Sequence, residues 1–150
     1  MKTASTQRIL APSVRRKLLV GTAALAALQL VHLLDVLRYD DTASFPGVLV
    51  DRQAIVGIGL ASVAFVLLAV RHSAARVMTI TASSIVALGF VLHHGIPVRF
   101  AGLTNPYWTS ASGNRADWFR WTTVLVIVAV GGFVGATAWR APREIFDVRP

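Results

Sequence analysis

Four stretches of the chain are apolar almost throughout, and the charged residues fall between them. They are "LLVGTAALAALQLVHLLDVL" (18–37), "QAIVGIGLASVAFVLLAV" (53–70), "VMTITASSIVALGFVLHHGI" (77–96) and "FRWTTVLVIVAVGGFVGATAW" (119–139). Their apolar residues run in blocks, at neither the spacing of a surface helix nor that of a half-buried strand. A helix needs about 20 such residues to cross a ~30 Å hydrocarbon core, and each block has about that many. Lipid offers no partners to free backbone groups, so helix is the form these blocks must take. The pattern predicts an all-α integral membrane protein: one four-transmembrane-helix bundle over 1–150, with tails at 1–17 and 140–150.

The polar segments set the orientation. Lys2, Arg8, Arg15, Arg16, Lys17, Arg71, Arg76, Arg140, Arg143 and Arg149 fall on one side, against only Glu144 and Asp147. On the other side Arg38, Arg52, Arg99, Arg115 and Arg120 are matched by Asp35, Asp40, Asp41, Asp51 and Asp117. The whole excess of +8 therefore lies on one face. By the positive-inside rule that face is cytoplasmic, which predicts a plasma-membrane protein with both termini inside. The twin arginines before an Ala-x-Ala run resemble an export signal. The apolar run continues to Leu37, however, so an uncleaved first span is expected.

Composition agrees with the pattern. Hydrophobic residues make up 55% and charged residues 15%, against about a quarter charged in soluble domains. The pI near 11.5 does not point to nucleic acid. The basic residues flank the spans and form no stripe interleaved with aromatics. Without cysteine, disulfides, thiolate metal sites and thiol redox chemistry are excluded.

Helices packing within a bilayer use small residues for close approach. Gly131 and Gly135 stand at GxxxG spacing, and Gly57 and Ala61 repeat it in the second span. Either the bundle's own seams or contact with a second copy or another membrane protein through Gly131/Gly135 explains them. Trp118 and Trp121 at one end of the fourth span, and Trp139 at the other, read as interfacial anchors.

The candidate chemistry lies near the outer surface. Gln29, His32 and Asp35 recur every third residue, on one broad arc of a helix. An imidazole and a carboxylate so spaced are within hydrogen-bonding reach, which would fix the tautomer of His32. His93 and His94 end the third span just before Gly95 and Pro97, at nearly the same depth as His32. Adjacent residues point about 100° apart, so at most one of the pair aims at the first span. Three readings compete. A divalent metal such as zinc or copper would take His32, Asp35 and His93 or His94. A b-type haem would sit between His32 and His93 or His94, and a quinone contact is the related option. The third is a structural polar cluster that caps helix ends and pairs with neighbouring charges. His72, in the short turn "RHSAAR", is expected to be solvated.

The segment "PVRFAGLTNPYWTSASGNRAD" predicts a long ordered outer loop between helices 3 and 4, its Phe100, Tyr107 and Trp108 folding over the bundle as a lid. No nucleophile, base and orienting acid stand at a convincing spacing for hydrolysis. The functional expectation is an accessory, assembly or structural component of a membrane complex. The alternative is a metal- or haem-binding membrane protein, an oxidoreductase included, with its site at the outer leaflet.

Overall fold

The computed structural model describes the backbone of residues 4–39, 52–95, 118–142 and 146, and side chains from residue 13 to 35, 54 to 95, 118 to 142 and at 146. Among the described residues there are four helices and no strand. These are α1 (Ala4–Tyr39), α2 (Arg52–Ala69), α3 (Ala75–Gly95) and α4 (Trp118–Arg140). Three of the four match the predicted blocks to within two residues at each end. α1 instead begins at Ala4, well before the apolar block. Its leading segment is rich in Arg, Gln and Lys, which sustain a helix already nucleated beside them. The long apolar parts are Ser13–Asp35 of α1, Ala75–Gly95 and Trp118–Arg140, each long and apolar enough to cross a membrane. The apolar part of α2, Ala54–Ala69, is shorter. The expected outer loop, with Phe100, Tyr107 and Trp108, lies outside the described residues, as do Asp40, Asp41 and Asp51.

The helices form a ring in which α1 neighbours α2 and α4, and α3 neighbours α2 and α4. α1 and α3 face each other across the diagonal with few contacts. The buried positions recur at steps of three and four: Leu18, Thr22, Leu25, Gln29, His32 on α1, and Ala54, Gly57, Ala61, Ala64, Leu68 on α2. That spacing is the stripe a helix presents to its neighbours in a bundle. What these seams hold is unlike a soluble core. Small and polar residues such as Thr79, Ala82 and Ser83 point inward, while Val66, Val77, Leu88, Leu125 and Phe133 point outward. Lipid accepts the large apolar side chains, so the interior is chosen for close approach and for hydrogen bonding. Trp118 and Trp139 are exposed at opposite ends of α4, as interfacial anchors require.

Close approach is clearest between α3 and α4. A Cβ on Gly131 would meet Ala87 Cβ and the Ser83 carbonyl oxygen, both at 3.2 Å. One on Gly135 would lie 3.4 Å from Ser83 Cβ. Thus Gly131 and Gly135 receive residues of their own chain. Gly132, between them, faces away, and nothing lies within 4 Å of its Cβ position. The hydroxyls of this seam are occupied locally: Thr79 donates to the Ala75 carbonyl at 2.7 Å, and Ser83 donates to that of Thr79.

The end of the bundle carrying the α2–α3 turn is built from two matching caps. Arg15 of α1 donates to the last carbonyls of α2, Nε to Leu68 at 3.1 Å and Nη2 to Ala69 at 2.8 Å. Arg76 of α3 does the same for α4, Nε to Ala138 at 3.2 Å and Nη2 to Trp139 at 2.7 Å. Each guanidinium satisfies carbonyls that have no partner within their helix, and its charge complements the negative helix end. So these two arginines have a structural role besides the charge they carry. Arg15→Ala and Arg76→Ala should each cost about 1 kcal/mol in thermal unfolding in mild detergent. Arg16→Ala, which removes an exposed side chain, should cost nothing measurable; equal effects at all three positions would refute the capping role.

The turn between α2 and α3 closes in the same economical way. The His72 N–H donates to the Leu67 carbonyl at 2.9 Å and that of Arg71 to Leu68 at 3.4 Å, with Arg71 at φ 56°. This is a Schellman termination with arginine in the position glycine usually takes. His72 is exposed, as expected of a solvated residue, but its Nδ1 also accepts from the Ala74 N–H at 3.1 Å, capping the start of α3.

Candidate functional site

Toward the far end of the bundle the seams become polar. Gln29, His32 and Asp35 of α1 are all buried, as the three-residue spacing implies. On α3 the buried face runs Ser83, Val86, Phe90, His94, and this settles which of the adjacent histidines turns inward. His94 is buried and His93 is exposed.

The two buried imidazoles meet across the diagonal. The His32 and His94 rings are 5.2 Å apart, centroid to centroid, edge to face at 73°. Phe90, one turn before His94, contacts both, at 5.1 Å from His32 and 5.3 Å from His94. His93 lies 4.6 Å from His94, nearly perpendicular to it. The shared depth of the three histidines therefore becomes a contact cluster between α1 and α3.

Asp35 takes a partner that the sequence reading did not assign to it. Its Oδ2 accepts from Arg120 Nε at 3.1 Å, an ion pair between α1 and the first turn of α4. Both side chains are largely buried, at 8% and 14% exposure, so the charges neutralise each other away from bulk water. In the sequence Arg120 falls among the outer-side charges. A signal was nonetheless present: an arginine one residue inside an apolar block is costly unless it is paired.

This arrangement bears differently on the three readings. With Asp35 held by Arg120, the donors that converge are imidazoles: His32 and His94, with His93 beside them. Among the described residues no group of three or more His, Asp or Glu is arranged to hold a metal ion. Two imidazoles in contact suit zinc or copper as part of a donor set that other ligands complete. A haem between His32 and His94 would require the rings to part, since they touch each other and Phe90. The cluster as it stands is packed, with Phe90 as its apolar wall.

Gln29, one turn below His32, has no chemistry assigned by spacing alone. Its Nε2 donates to the Leu25 carbonyl at 3.2 Å, and its Oε1 lies against Gly57 of α2, where the Cβ of any other residue would collide with it. Gly57, read as a packing glycine, is thus the seat of a buried carboxamide.

Comparison with known proteins leaves the site to be argued from its own geometry: no protein family, no curated protein and no solved structure matches this chain.

Proposed function

We propose that the chain is a four-span component of the cytoplasmic membrane, both termini inside, serving as an accessory or assembly subunit that docks a helix of another membrane protein along α3 and α4. The observation that carries this reading is a groove of about 430 Å³ on that face, lined by Ser84, Ala87, Leu88, Gly132, Gly135 and Ala136 among others. Small residues in a lipid-facing groove let a second backbone approach closely, which is how membrane helices gain dispersion contacts and weak hydrogen bonds. Gly132 offers that approach without being used by the bundle itself. The inside location of the termini rests on the concentration of basic residues at the end where Arg15 and Arg76 lie. That α2 spans with the others, short as it is, is supported by its packing between α1 and α3.

A photo-crosslinking residue at position 132, in intact membranes, tests the docking. One discrete protein adduct is expected there, and only lipid adducts from position 20, whose valine is exposed on α1. An adduct of twice the chain's mass would identify the partner as a second copy. Indistinguishable patterns from the two positions would overturn the reading. The chain's lack of cysteine also allows single-cysteine labelling at positions 13 and 72, which should be accessible from the cytoplasmic side only.

A second reading has its own observation in the His32–His94 contact. If the pair ligates zinc, copper or haem, protein purified in mild detergent will carry near-stoichiometric metal or a Soret band, lost in His32→Ala. Colourless, metal-free protein from cells supplied with all three would end that reading.

A further inference from the structure

On the other flank of α3, between α2 and α3, lies a second recess, of about 220 Å³, lined by Val56, Gly57, Ile85, Val86, Gly89 and Phe90, with Gln29 of α1 behind them. Val56 and Ile85 at its rim are each about half exposed, so it opens sideways to lipid. Its walls are apolar except for Gln29, whose side chain is fully buried.

The orientation of that carboxamide is determined. Nε2 donates to the Leu25 carbonyl, and a flipped amide would set two oxygens against each other. Oε1 is therefore the atom turned toward α2, and it accepts no hydrogen bond from any described residue. A buried acceptor without a donor is costly, most of all in a bilayer, where water is scarce. Gly57 and Gly89 play different parts here. The first leaves room for the carboxamide, and at the second a Cβ would meet nothing within 4 Å.

We infer that this crevice binds a neutral, ring-bearing molecule dissolved in the membrane that donates one hydrogen bond, a phenol or hydroquinone, with its hydroxyl on Gln29 Oε1 and its ring against Phe90. Size supports a ring: a dry cavity of about 150 Å³ accepts benzene, so this one takes a substituted ring. Neutrality follows because no charged side chain lines the recess. An aromatic wall favours an aromatic guest, edge to face or offset. The selectivity is specific to the atom presented. An acceptor at the floor welcomes a hydroxyl and repels a carbonyl, so the reduced hydroquinone binds and the oxidised quinone of the same shape does not. This inference is independent of docking on the α3/α4 face.

Anaerobic equilibrium dialysis of the purified protein in nanodiscs, with duroquinol and duroquinone as probes, tests it. Duroquinol is expected to bind at least tenfold more tightly than duroquinone. Gln29→Leu should abolish that preference. Gly89→Leu, whose Cβ meets no neighbour and whose side chain would occupy the recess, should abolish binding of both, and it decides the matter if the Gln29 variant fails to fold. Equal binding of the two probes, no binding of either, or binding untouched by Gly89→Leu would overturn the inference.

Discussion

Arg120→Ala is expected to destabilise the bundle by about 3 kcal/mol, because it leaves the Asp35 carboxylate buried without its cation. The carboxylate is less than a tenth exposed, and the helices around it replace the water that would otherwise solvate it. Asp35→Asn should cost less. The arginine it leaves behind sits in the first turn of α4, where a long side chain can reach the interface and regain water. The double variant Asp35→Leu with Arg120→Leu should recover much of the loss, since both charges go together and apolar packing replaces them. Thermal or denaturant unfolding in one detergent, for all variants, gives the cycle. If the double change cost the sum of Asp35→Leu and Arg120→Leu made singly, the pair would not be coupled and the argument would fail.

The second large effect belongs to neighbouring glycines with opposite fates. Gly131→Leu should destabilise by about 1–3 kcal/mol, because even its Cβ would crowd Ser83 and Ala87 at 3.2 Å, and one of these atoms is a backbone oxygen that cannot swing aside. α3 and α4 would have to separate, and the seam of Thr79, Ser83 and Val134 would open with them. Gly132→Leu should leave stability unchanged, since its side chain would enter open space. It should, however, weaken the crosslink expected from the outer groove. Equal losses of stability at 131 and 132 would mean that the α3/α4 seam is not as close as described.

Both predictions rest on positions whose residue type was legible and whose partner was not. The spacing of Gln29, His32 and Asp35 showed that α1 has a polar arc, and the arc is buried. It could not show that Asp35 faces Arg120, because the two are 85 residues apart and joined only by the fold. The paired histidines were legible as a layer, while the inward turn of His94 depended on the phase of the α3 seam. That phase is hard to read in a membrane helix. The usual cue, large apolar residues on the core side, is absent, and here the inward face of α3 carries Thr79, Ala82 and Ser83 while Val77, Ile85 and Leu88 are exposed. Arg15 and Arg76 were likewise legible as topogenic charges, but the carbonyls they cap belong to other helices.

By itself, then, the sequence determined the four helices and the long apolar parts of three of them, because these follow from local composition against the demands of a bilayer. Only the tertiary structure decided which faces meet: His32 against His94 across the diagonal, Asp35 on Arg120, Gln29 in the seat left by Gly57, and α3 in the notch of Gly131. These are choices among faces of nearly equal hydrophobicity. Steric fit and polar pairing between distant segments settle them, and neither is a property of any single stretch of chain.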